Sequence, residues 1–219
     1  MVFFLSYNRF RAPLTGDSVP LLPLFPLDVV LFPGTPLPLH IFEPRYKEMI
    51  RECLANNSPF GMIRAQQNSI ADIGCTAEIV SVTKEYPDRR LDIVTEGRNR
   101  FKILQINQER SFLRGEILLI SDEPGEPTSE ETARAIQLHA DILTLAGAVQ
   151  DLSAADQSVL SFYLAGSLPL DLDFKQKLLE LRSEKIRIAT LIEYLEAILP
   201  KIRRASRART ASGGNGHVH

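Results

Sequence analysis

Cysteine is scarce in this chain of 219 residues. Cys53 and Cys75 are the two present, at a spacing that makes neither a zinc site nor a redox pair. Two buried thiols in a reducing compartment is the expectation. Histidine is also sparse, four in all with two in the final three residues, so a metal centre of three or four clustered ligands has nothing to assemble from. No window approaches the ~18 consecutive apolar residues that a membrane span requires. The opening MVFFLSYNRF lacks a basic n-region, a long apolar core and a cleavage site, which makes a cytoplasmic location the default and excludes a membrane partner. A net charge of −2 supplies no broad field to recruit nucleic acid. No G-x-x-x-x-G-K-[ST] loop is available to cradle phosphates, and no G-x-S-x-G elbow to present a nucleophile. His40 could meet Glu43 or another carboxylate, and His139 reads as a surface or interface residue on a helix. Neither has a nucleophile to serve, so no catalytic residue, no metal ligand and no cofactor is assigned.

Proline is what the sequence has in excess, at one place. VPLLPLFPLDVVLFPGTPLPLHIFEPRY, residues 19–46, holds seven prolines among short apolar runs. Each fixes φ and removes a donor, which suits short, bent edge strands with locked turns, Pro33-Gly34 among them. A helix follows from Pro44 to about Asn56, with Tyr46, Met49, Ile50, Cys53 and Leu54 on one face and proline at its first position. Strands are expected over Phe60–Arg64 and Thr76–Tyr86, with a turn at Asp88–Arg90. A strand pair over Leu91–Ile106 should bend or bulge at Glu96-Gly97, and a last strand runs through Leu113, Gly115, Ile117 and Leu119.

Composition changes at the acidic Pro/Gly linker Asp122–Pro127, whose carboxylates read as solvated charges. Beyond it the pattern is helical. Thr128 and Glu131 form a capping box for a helix to about Gly147. Ser153 caps a second helix, with Asp156 near its positive end. Asp171 or Asp173 starts a third, and Ser183 starts a fourth that carries Ile186, Leu191, Leu195 and Leu199 and stops at Pro200. The boundaries are therefore an aromatic extension at 1–18, a β-rich unit at 19–124, a helical bundle at 128–200 and a disordered basic tail at 201–219. The class is α+β, a twisted, mostly antiparallel, barrel-like sheet with one helix, then a bundle.

Four blocks in order carry a resemblance. They are PLFPLDVVLFPGTPLPLHIFEPRY; Ile73-Gly74-Cys75-Thr76-Ala77-Glu78-Ile79; Asp92–Phe101 with its V-x-G-x-x-R-like core; and Lys175–Glu180. Together they resemble the substrate-binding domain at the N-terminus of Lon proteases, over about residues 19–199. The resemblance implies a PUA-like β unit. It also implies a stand-alone, ATP-independent, proteolysis-related module that contacts substrate proteins without ATPase or protease domains.

Three functions follow. The first is a non-catalytic protein- or peptide-binding module for unfolded or extended polypeptide segments, working with a protease or chaperone. Its candidate contacts are Phe25, Leu31, Phe32, Pro36, Leu37, Leu39, His40, Glu43, Arg45, Arg98 and Arg100. A proline-stiffened sheet could present apolar side chains or accept a peptide as an added strand. The bland reading places the apolar residues in the core, has Arg98 and Arg100 fix a bend, and has Glu43 and Arg45 cap and pair locally. The second is an RNA-binding PUA-like protein, disfavoured by charge. The third is a peptidase with an unrecognised active site. The aromatic extension allows a homodimer.

Overall fold

Proline sets where the sheet begins, turns and ends. The structure is a computed structural model that describes residues 21–66, 69–150, 152 and 156–213. The aromatic extension, any dimer formed through it and the Ser153 cap lie outside those residues. Strand β1 (Leu22–Leu27) leads to a tight turn at Phe32-Pro33-Gly34-Thr35. Gly34 has φ +73° and the Thr35 N–H donates to the Phe32 carbonyl at 3.2 Å, so a fixed φ is followed by a position that favours glycine. Strand β2 (Pro36–Ile41) then enters helix α1 (Pro44–Asn56), which ends at Asn57 in the left-handed region, φ 45°.

Strands β3 (Phe60–Gln66), β4 (Ser69–Ile70), β5 (Ile73–Glu85), β6 (Leu91–Asn107) and β7 (Arg114–Leu119) complete the sheet. The order β1-β7-β6-β5-β3-β4, with β1 also pairing β3 in parallel, closes five strands into a barrel. The remaining pairings are antiparallel. This corrects the expectation of edge strands for half of the proline-rich run. β1 is interior to the ring, and of the two proline-rich strands β2 takes an edge, pairing β6 on one side. Leu91–Asn107 is one strand of 17 residues rather than a pair. Its bulge against β5 falls at Arg98-Asn99, where these two residues of β6 stand opposite one of β5, Thr76. Gly97 is there because the turn crosses it closely. A Cβ would stand 2.1 Å from the Phe32 carbonyl oxygen. The Gly34 N–H donates to Gly97 and the Gly97 N–H to Thr35.

The helical part comprises α2 (Ser129–Leu145), a 3-10 turn at Gln157–Val159, α3 (Leu160–Gly166), α4 (Leu172–Glu180) and α5 (Glu184–Gly213). Thr128 and Glu131 make the reciprocal capping box. Asp156 caps the 3-10 turn and Asp171 caps α4. Helix α5 does not stop at Pro200. It continues to Gly213, so residues 201–213 of the tail read as disordered are helical. The physical reason is packing: Leu195, Leu199 and Ile202 keep an apolar stripe going one turn past the proline, and Arg203 pairs with Asp141 of α2 at 2.9 Å. Ile188, fully buried, faces the core where Ile186 was expected to, and Ile186 is exposed.

The barrel and bundle cores meet at one ring, and a further buried cluster of Leu22, Leu24, Ile63 and Phe101 lies within the sheet. Phe25, Met49, Ile50, Phe60, Met62 and Ile93 are among those that fill the α1 side of the barrel. Leu138, Leu164, Leu178, Leu191 and Leu195 fill the bundle, and Phe32 leaves the turn to join them, stacked on Phe162 at 5.1 Å.

Candidate functional site

Three strands leave the barrel together as an arm. Pro36–Ile41 of β2 pairs Leu91–Glu96 of β6, which pairs the outer half of β5. Alternation decides the two faces. Leu37, Leu39, Leu91, Ile93 and Thr95 turn toward the α1 core. Three rows of three face the other way: Pro36, Glu96 and Glu78; Pro38, Val94 and Ser81; His40, Asp92 and Lys84. The centre row is apolar or small. The outer rows are charged and internally paired.

At one end Arg98 reaches Glu78 at 2.6 Å and Glu96 at 2.5 Å. At the other, His40 Nδ1 lies 2.5 Å from Asp92 Oδ1, and the Tyr86 hydroxyl donates to Asp92 Oδ2 at 2.8 Å. The His40 contact and then the Tyr86 hydroxyl hold the Asp92 carboxyl below its ordinary range. His40 therefore meets Asp92 and not Glu43. Phe42 stacks beside His40 at 5.9 Å and is 58% exposed.

The other predicted residues divide by burial. Leu37 and Leu39 are half-buried against the α1 core, and Pro36 is exposed. Arg45 is exposed and pairs Glu43 at 2.8 Å; Glu43 precedes the helix without a side-chain cap bond. Phe25, Leu31 and Phe32 are buried and cannot touch a partner, because each fills a core where the turn and β1 cross the barrel. Arg100 is likewise buried, its guanidinium donating to the Leu179 and Leu181 carbonyls at 2.8 and 2.7 Å and to Asp122.

Asp122 is exposed, as a linker charge should be, but its carboxylate is tied to buried Arg100. It also accepts from Arg187, which is fully buried and donates to Glu184 at 2.7 Å, to Ser161 Oγ at 3.0 Å and to the Leu181 carbonyl. Phe162 lies under both guanidiniums. Burial pushes the Glu184 carboxyl above its ordinary range, against the pull of Ser161 and Arg187. This cluster joins barrel to bundle, and no local sequence signal marks it.

His139 is a correction of another kind, 1% exposed rather than on the surface. Its Nε2 is 2.7 Å from Ser167 Oγ. The serine Oγ also lies 3.0 Å from the Leu164 carbonyl oxygen, which fixes the end of α3. Burial also keeps His139 below its ordinary range. Among the described residues, no group of three His, Cys, Asp or Glu side chains is placed to hold a metal ion, and no helix is long and apolar enough to cross a membrane. A cleft of about 330 Å³ lies between α1 and β1, lined by Leu21, Pro23, Cys53, Pro59, Phe112 and Arg114 among others.

A family model described as the ATP-dependent protease La (Lon) substrate-binding domain matches residues 21–197. Lon protease of Parabacteroides distasonis is 29% identical over 145 residues, covering 62% of this chain and 17% of the relative. Lon protease of Flavobacterium johnsoniae is 26% identical over 205 residues, 84% of this chain and 24% of its own length. The chain spans about a fifth of the length of the curated relatives it matches. Among solved structures, a Lon N-terminal domain protein from Xanthomonas campestris aligns with a TM-score of 0.66 at 26% identity, over 80% of this chain and 99% of that one. The N-terminal domain of Mycobacterium avium complex Lon protease aligns at 0.57 and 18% identity, over 81% of this chain and 98% of that one, a likeness of fold.

Proposed function

The chain belongs to the Lon substrate-binding domain family, and from that premise we propose that it binds unfolded or extended polypeptide segments without chemistry of its own. The observation that carries the reading is the outward face of the arm. Its backbone is held by pairing on both sides of β6, so the side chains it presents are fixed in place before any ligand arrives. Pro36, Pro38, His40 and exposed Phe42 contribute, with Arg98 and the Glu43–Arg45 pair at its margins. A cytoplasmic setting, where Cys53 and Cys75 stay reduced, and a protease or chaperone as the recipient of the bound segment complete the proposal.

Carboxymethylated lysozyme and native lysozyme, each immobilised, make the test. The unfolded form should retain the chain and the native form should not. A His40→Ala, Phe42→Ala double variant with an unchanged circular dichroism spectrum should be retained less. Equal retention by both forms of lysozyme refutes the proposal.

A further inference from the structure

The cleft of about 330 Å³ between α1 and β1 is lined by two arginines, Arg110 and Arg114, whose surroundings differ. Arg110 is committed. It donates to Glu52 at 2.9 Å and to Glu48 at 2.6 Å, and its guanidinium lies 4.8 Å from the centre of the Phe112 ring. Those bonds also balance Glu52, the carboxylate in the lining.

Arg114 is less well served. Its Nη2 lies 3.2 Å from Asn107 Oδ1 and 3.5 Å from Glu109 Oε2, and that glutamate is 77% exposed, where an ion pair is worth little. Its Nε is buried and has no acceptor among the described residues. Buried donors are almost always paired, so an oxygen brought by a ligand would supply what the chain does not. The Arg114 side chain is 25% exposed, which leaves the guanidinium within reach from outside.

The rest of the lining is largely apolar. Leu22, Cys53 and Phe112, all buried, line the cleft with Pro23 and Pro59. Its volume is at the small end for ligand sites and suits one ring or a short aliphatic chain.

We propose that this cleft binds an apolar carboxylate, with the hydrocarbon against Leu22, Cys53 and Phe112 and the carboxylate on Arg114. A carboxylate matches the planar fork of a guanidinium. A phosphate dianion fits less well, because Glu48, Glu52 and Glu109 already stand against the two arginines. Either a free small acid or the C-terminal residue of a polypeptide carries this chemistry. The site is separate from the arm.

Isothermal titration calorimetry on the full chain compares 3-phenylpropionate with its primary amide. It also compares a short Gly/Ser peptide ending in phenylalanine as the free acid and as the amide. At least one acid should bind, and at least ~tenfold more tightly than its amide, which offers the guanidinium no charge. Binding by 3-phenylpropionate alone supports the site with a small acid as the source, and binding by the peptide acid supports it with a polypeptide C-terminus. Arg114→Gln, with an unchanged circular dichroism spectrum, should bring the acid down to the level of its amide. The His40→Ala, Phe42→Ala double variant should bind the acid as before. A nuclear Overhauser contact between the phenyl protons of the ligand and the Phe112 ring locates it without any variant. Failure of both acids to bind, equal affinity of acid and amide, or absence of the Phe112 contact overturns the proposal. So does loss of acid binding in the double variant on the arm.

Discussion

Replacing Arg187 with methionine removes one cation from the cluster that joins barrel to bundle and takes a partner from two carboxylates. Arg187 is 0% exposed and makes hydrogen bonds to Asp122, Glu184, Ser161 and the Leu181 carbonyl. Asp122 keeps Arg100 and is one-third exposed, so it retains a partner and some water. Glu184 keeps only Ser161, in a side-chain environment 4% exposed. Removing one member of a buried pair typically costs about 3–5 kcal/mol, and Glu184 is the residue that should carry that cost. Its carboxyl already sits above its ordinary value because of burial, and loss of Arg187 moves it further up. A group raised in the folded state contributes stability that is present below its unfolded value and is lost as pH rises through the folded value. The deficit of the variant should therefore be small near pH 4.5 and grow toward pH 7. Urea unfolding followed by far-ultraviolet circular dichroism at both pH values measures it. Arg187→Met with Glu184→Gln should recover a large part of the neutral-pH loss, since the amide can still bond Ser161 without a charge. A deficit of the same size at both pH values, or additive losses in the double variant, would refute the assignment to Glu184.

Other expectations are simpler to test. Gly97→Ala must push the Phe32–Thr35 turn off β6, so thermal unfolding should show a loss of at least ~2 kcal/mol, in the range of overpacking. Pro200→Ala should raise the melting temperature. A helix-interior proline costs up to ~3 kcal/mol against alanine, and the greater freedom of the unfolded variant returns only ~0.4–1 kcal/mol of that. Burial pushes the Cys53 and Cys75 thiols up to about 11 and about 12, so a thiol reagent at pH 8 should leave the native chain unlabelled and label two thiols in urea.

Local chemistry was the legible part of the sequence. A proline at the first position and one apolar face gave α1 its ends. A threonine three residues before a glutamate gave α2 its start, and an aspartate two before Asp173 gave α4 its cap. Each signal lies within four residues of the element it specifies. Failures came where a distant partner decided. Pro23 and Pro26 look like Pro36 and Pro38 in sequence, yet β1 closes the barrel and β2 borders it. That difference is set by β3 and β7, which lie far along the chain. Pro200 reads as a stop because its own missing donor is visible, while Asp141, which meets Arg203 from α2, is not.

The same rule separates the arginines of one strand. Arg98 and Arg100 stand two apart, and period-two alternation would put both on one face. The bulge at Arg98-Asn99 interrupts that count, so Arg98 serves the outward face while Arg100 is driven inward between the two cores. A buried guanidinium is tolerable only with carboxylate and carbonyl partners around it. Those come from the linker at Asp122 and from the end of α4, about 22 and 80 residues away. The linker acid that composition marks as solvated therefore keeps its exposure and still anchors two buried arginines. The glycine that marks the bulge also lets the Phe32 turn cross β6, so one irregularity in a single strand both frees Arg98 for the arm and brings the barrel into contact with the bundle.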